Sequence, residues 1–398
     1  MELIEHLDIP LLLASVTALI LLVIGRLAHK WSLPAPAIFL ALGMLINSWN
    51  RAVNVDVDIS LVAEIGSVVL VLILFEGGFA GGFRRARASI GPIMGLGVIG
   101  TLITTALVAV VAHVVCGLPW EAAAIIGIAL APTDPAAVFS VLGSRDVEGR
   151  SSAIIEGESG VNDPVSIALM VGALAYLAGG GSALHIGLEL VVDLVVGLGL
   201  GVIFGRAGAM LLGTVRPISD TLIPFAAIAV AFLTYSATNM LHGSGYLAVF
   251  VAGLVMGDRL RRHGSILSLV SLSAALAEIA MFTMLGLTVA LNDLGGAIAI
   301  GLGIFAVLTL VIRPVVTWLL LLPAQLSRAE TVFIAWGGLR GAVPILLASF
   351  AILEDVNDAY RIYSIVFVAV AASICLQGGT IPALIDRLGL VREPDALQ

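Results

Sequence analysis

Long apolar runs, separated by short polar clusters, fill this chain almost from end to end. A helix needs about 17–25 residues to cross a bilayer. Runs near that length predict thirteen helices, at approximately 10–28, 34–48, 60–80, 90–116, 121–143, 152–178, 185–212, 220–241, 245–257, 267–291, 294–322, 331–352 and 362–385. The second and ninth are short. The fifth is broken at Ala131-Pro132-Thr133-Asp134-Pro135, and the twelfth at Gly337-Gly338-Leu339-Arg340-Gly341-Ala342-Val343-Pro344. Proline lacks an N–H and disturbs the carbonyl four residues back, so these breaks free backbone groups. At membrane depth such groups survive only inside protein or beside water and ions.

Composition agrees with an all-α polytopic membrane protein. The 398 residues are 60% hydrophobic and 12% charged, against about 25% charged in soluble domains. With the N-terminus outside, inward-facing ends and loops hold fifteen of the basic residues and outward-facing ones only Arg51 and Arg361. Adding or removing one span scrambles that alternation, so the positive-inside rule predicts an N-out, C-in topology. The net charge of −8 adds little, because acids hardly influence orientation. No basic run suits nucleic acid, and the six histidines lack ligand spacing. Cys116 and Cys375 read as separate buried small hydrophobes. The acidic start argues against a cleaved signal peptide. The polar end after about Ile385 is too short for a soluble domain, so residues 1–398 read as one membrane unit.

The chemistry concentrates at the breaks. A carboxylate near mid-bilayer costs roughly 2.5–3.5 kcal/mol on insertion scales and is a functional candidate by default. Asp163 lies in Glu156-Gly157-Glu158-Ser159-Gly160-Val161-Asn162-Asp163-Pro164, and Ser159 shares its helical face. Glu158 and Asn162 share the neighbouring face. Asp163, Thr133 and Ser159 offer hard oxygen ligands to a small alkali cation. Burial favours a protonated carboxyl and a bound cation favours the ionised one, so one aspartate can exchange the two. Asp134 and Arg340, at opposite breaks, would neutralise the helix-end partial charges of a crossing. Arg340 needs an acidic partner at depth, and Glu158 is the expected one, as a structural ion pair. Arg313 reads as structural or accessory. Glu76 and Glu278 either line an entry funnel or are satisfied within the bundle. The broken helices fall in matching positions of spans 4–6 and 11–13, which start on opposite sides; such inverted repeats point to a transporter's central site.

Thr133-Asp134-Pro135, Glu158-Ser159-Gly160-Val161-Asn162-Asp163-Pro164 and Gly338-Leu339-Arg340-Gly341-Ala342-Val343-Pro344 together resemble the NhaP-type branch of the monovalent cation/proton antiporters. Leu74-Phe75-Glu76-Gly77-Gly78 and the Gly-rich run 243–257 are similar too. The resemblance implies an NhaA/NapA-like antiporter fold with two discontinuous helices crossing at mid-membrane. It also implies a core (about 90–178 and 294–385) moving against a dimerisation scaffold (about 10–80 and 185–291). In that light Asp163 binds cation or proton, with Asp134, Thr133, Ser159 and Asn162 around it. Asn162 replaces a second aspartate of electrogenic relatives, which implies electroneutral one-for-one exchange of Na⁺, Li⁺ or K⁺ for H⁺.

The expected setting is a homodimer in a bacterial-type inner membrane, with lipid, monovalent cations and protons as partners and no cofactor. Around Ala136-Ala137-Val138-Phe139-Ser140 the wording also resembles the potassium/proton group linked to cell volume, whose members often carry a cytoplasmic regulatory tail. No such tail follows here, so tail-based regulation is not expected. Two rivals remain. An intramembrane protease would use Ser159, but His113, His185 and His242 map to outer helix ends. A passive cation channel would favour a symmetric ring of ligands, not an inverted-repeat site.

Overall fold

An apolar run in lipid satisfies its backbone by closing on itself as a helix, and the runs from residue 34 onward do so. The computed structural model describes residues 34–52, 58–142, 147, 149–179, 183–214, 222–260, 264–289 and 294–390; the run expected at 10–28 lies outside them. The helices are α1 (Ala35–Ala52), α2 (Ile59–Gly81), α3 (Ile90–Val114), α4 (Trp120–Leu130), α5 (Pro135–Leu142), α6 (Ser151–Leu177) and α7 (Ala183–Thr214). They continue as α8 (Leu222–Met240), α9 (Gly245–Leu260), α10 (Gly264–Leu287), α11 (Gly295–Ala324), α12 (Arg328–Trp336), α13 (Ala342–Leu353) and α14 (Ala359–Leu388). Among the described residues, eight helices are long and apolar enough to cross a membrane. The chain is a helical membrane protein, and its outward side chains are apolar, as at Leu188, Val195 and Leu310.

Both predicted interruptions are present, between α4 and α5 and between α12 and α13. Three long helices also carry single π-turns, at Gly95–Gly100 in α3, Leu308–Ile312 in α11 and Ser373–Gln377 in α14. Such turns re-aim the side chains that follow them.

Packing sorts the helices into two sets. In one, α2 packs on α9 and α10, α1 on α10, and α7 and α8 on α9. In the other, α3 packs on α4, α11 on α14, and α13 on α14 and α4. Absent side chains let backbones close up inside the first set. A Cβ at Gly78 or Gly257 would overlap backbone atoms of the facing helix in the α2–α9 contact. The sets meet where α2, α9 and α10 face α6 and α13. Cys116 is half-buried, whereas Cys375 is exposed, contrary to expectation.

Candidate functional site at the crossed breaks

The two breaks touch. The Asp134 N–H donates to the Leu339 carbonyl at 2.8 Å, and the Arg340 guanidinium donates to the Pro132 carbonyl at 3.2 Å. Arg340 therefore caps the carbonyl end of α4, where partial negative charge gathers. Asp134 precedes α5 and packs against Gly341, which precedes α13; a Cβ on Gly341 would overlap its carboxylate. One acid thus stands at two helix N-termini. Each break carries the charge that the other's helix end requires.

Side chains from α14 and α6 hold the crossing. The π-turn in α14 presents Ser373, which accepts from the Arg340 N–H at 3.0 Å. Gln377 donates to the Trp336 carbonyl at 2.6 Å, satisfying the end of α12. Asn162 Nδ2 donates to Thr133 Oγ1 at 2.9 Å, tying α6 to the first break. Asn162 is thereby committed as a donor, and its Oδ1 stays buried without a hydrogen bond.

Asp163 and Ser159 lie on one face of α6, and Ser159 is placed to hydrogen-bond the Asp163 carboxylate. Asp163 Oδ1 is buried and unpartnered. It opens on a cavity of about 310 Å³ lined also by Thr133, Asp134, Ser159, Glu76, Glu156 and Glu278. By the same measure one water needs about 10–15 Å³, so the cavity has room for a cation with part of its hydration shell. Among the described residues no Lys or Arg lines it. Glu76 and Glu278, ambiguous in sequence, both face this space. Ser271 donates to Glu76 at 2.8 Å.

The expected Glu158–Arg340 pair does not form. Glu158 is held by Arg313 through two bonds of 2.5 and 2.8 Å, with both residues almost wholly buried. The π-turn immediately before Arg313 turns its side chain inward. Gly338 supplies the space, since a Cβ there would collide with the Arg313 guanidinium. Arg313 is thus the structural partner, and Arg340 belongs to the crossing within electrostatic reach of both.

Glu156 was missed by sequence reasoning. It lies seven residues before Asp163, hence on the same helical side. It lines both the main cavity and a narrow neck beside Arg85, and Phe250 lines both spaces with it. The spacing held the signal. Among the described residues no cluster of His, Cys, Asp and Glu forms a resident metal site.

Crossed, interrupted helices around a buried, unsatisfied carboxylate define a polytopic membrane protein of the broken-helix class. Residues 15–387 match the family described as "Sodium/hydrogen exchanger, transmembrane", and the chain belongs to that family. It is 34% identical over 385 residues to the K(+)/H(+) antiporter NhaP of Alkalimonas amylolytica, covering 95% of this chain and 66% of that one. It is 32% identical to the K(+)/H(+) antiporter NhaP2 of Shewanella sp. (strain ANA-3), covering 93% and 65%. The chain therefore spans just under two thirds of the length of these relatives. The Na(+)/H(+) antiporter NhaH of Halobacillus aidingensis is 28% identical, over 82% of this chain and 84% of that one. In fold the chain is similar to the sodium proton antiporter MjNhaP1 from Methanocaldococcus jannaschii, with a TM-score of 0.81, 23% identity and 99% coverage of both chains.

Proposed function

We propose that the protein is a secondary antiporter that exchanges a monovalent alkali cation for a proton, with Asp163 holding one or the other. The observation that carries this reading is the unpartnered Asp163 oxygen facing a cavity that no basic residue lines among the described residues, beside the crossed breaks. Near the crossing, Asp134, Asp163 and Glu158 stand against Arg313 and Arg340. Asn162 is an amide bonded to Thr133 and adds no titrating group. A single titrating residue in the Asn162-Asp163 pair supports electroneutral one-for-one exchange. Thr133 and Ser159 are the neutral oxygen ligands in this reading, Asp134 and Arg340 stabilise the crossing, and Glu158 with Arg313 forms the structural pair.

Sodium is the first cation of this proposal. The 34% identity to a K(+)/H(+) antiporter supports potassium as a second reading. The thirteen-helix, N-out and C-in topology, the inverted repeats, the core moving against a scaffold, the homodimer and a bacterial inner-membrane location complete it. A Ser159 nucleophile finds no support, because among the described residues no histidine lines the cavity. His113 is bonded to the Leu118 carbonyl and stacked on Trp120.

The test is exchange in proteoliposomes under an imposed pH gradient, with Na⁺, K⁺ and Li⁺ added separately. Dissipation of the gradient by at least one cation, without net current, is expected. A gradient indifferent to all three contradicts antiport, and a cation conductance without proton movement indicates a channel. Asp163→Asn is expected to abolish exchange while leaving thermal unfolding in detergent close to wild type. Retained exchange in that variant would remove Asp163 from the site.

A further inference from the structure

The cavity beside Asp163 has a second orphan oxygen. Glu278 Oε1, on α10, is buried without a hydrogen-bond partner and faces the same space as Asp163 Oδ1. The other carboxylates there are better provided for. Ser271 donates to Glu76, Arg85 stands beside Glu156 at the neck, and Asp134 sits at two helix N-termini. The nearby arginines are committed, Arg313 to Glu158 and Arg340 to the Pro132 carbonyl. Glu278 also lies within electrostatic reach of Asp134 and Glu76. A buried carboxylate oxygen without a donor or counter-charge is costly, so Glu278 is relieved either by holding a proton or by meeting a mobile cation.

Glu278 and Asp163 belong to different helix sets. Glu278 stands on α10, which packs on α1 and α2; Asp163 stands on α6, across the boundary. We infer that Glu278 is a ligand for the transported cation from the α10 side, sharing its charge with Asp163 across the boundary between the sets. This rests on the exchange reading of the cavity and deepens it. Carboxylate oxygens are hard donors suited to alkali cations. Binding between two helix sets makes occupancy sensitive to their relative position, because displacement removes one carboxylate from the ion. A purely structural Glu278 would leave cation binding untouched.

Reconstituted full-length protein decides between these roles by exchange rate against Na⁺ and K⁺ concentration at fixed pH. Glu278→Gln is expected to raise the apparent KM for the cation about tenfold, the loss of one charge-assisted contact, with maximal rate within about twofold of wild type. Glu278→Asp, which keeps the charge on a shorter stem, should recover part of that loss. The cation-dependent rise in unfolding temperature in detergent should shrink in Glu278→Gln and partly return in Glu278→Asp. Wild-type KM and a wild-type thermal response in Glu278→Gln would overturn the inference while leaving Asp163 in place. If Glu278→Gln does not fold, a wild-type KM in Glu278→Asp together with an unchanged thermal response would overturn it equally. Wild-type protein that neither exchanges cations nor responds to them thermally would overturn the exchange reading beneath it.

Discussion

At the residue scale, the ion pair shows how three buried charges divide their work. Glu158 and Arg313 make a bidentate contact out of water, the geometry that best offsets desolvation of both partners. Removing either partner strands the other, and Glu158→Ala or Arg313→Ala should each cost about 3–5 kcal/mol. The double variant should lose less than the sum, read by thermal unfolding in detergent, whereas Glu158→Ala with Arg340→Ala should show weaker coupling. Equal coupling of Glu158 to both arginines would contradict this division. Sequence placed Glu158 with a buried arginine correctly but chose the wrong one. Both Arg313 and Arg340 sit in apolar runs, and residue spacing within one helix says nothing of which distant helix lies opposite.

At the scale of elements, glycines in the second break have separate jobs although they lie three residues apart. Gly338 leaves room for the Arg313 guanidinium, and Gly341 leaves room for the Asp134 carboxylate. One added carbon should therefore act differently at each. Gly338→Ala is expected to lower thermal stability, as loss of the ion pair does. Gly341→Ala should reduce exchange more than tenfold with a smaller change in unfolding temperature, since displacing a helix-end charge costs roughly 0.3–2 kcal/mol. Matching losses of stability in the two variants would argue that both glycines serve packing alone. The breaks were legible from Pro132, Pro135 and the Gly-rich run, because those residues interrupt helices by local geometry. The π-turns that aim Arg313 and Ser373 had no such local sign.

At the scale of the whole molecule, the cavity lies between helix sets, and close packing across that boundary bears on the proposed movement of one set against the other. Phe250 of α9 presses its ring onto Gly160 of α6, and a Cβ at Gly160 would overlap that ring. Within the first set, a Cβ at Gly257 would instead meet the backbone of α2 at Phe79. Gly160→Ala should slow exchange, and Phe250→Leu in the same chain should restore part of the rate by vacating the ring's volume. Gly257→Ala should chiefly lower stability, because backbone cannot step aside. A Gly160→Ala protein with wild-type exchange would show that this contact does not govern exchange.

The apolar runs, their helical state, the two breaks and the carboxylates at risk in them were properties of the sequence itself. Bilayer thickness, backbone hydrogen bonding and proline geometry act over a single segment, and a single segment is what sequence shows directly. Tertiary structure decided which arginine meets Glu158, that Asn162 reaches Thr133, and that Glu156 and Glu278 share a cavity with Asp163. Those outcomes depend on contacts between helices far apart in the chain. A buried charge is satisfied by whichever group packing brings within reach, and that distance is written in no one helix.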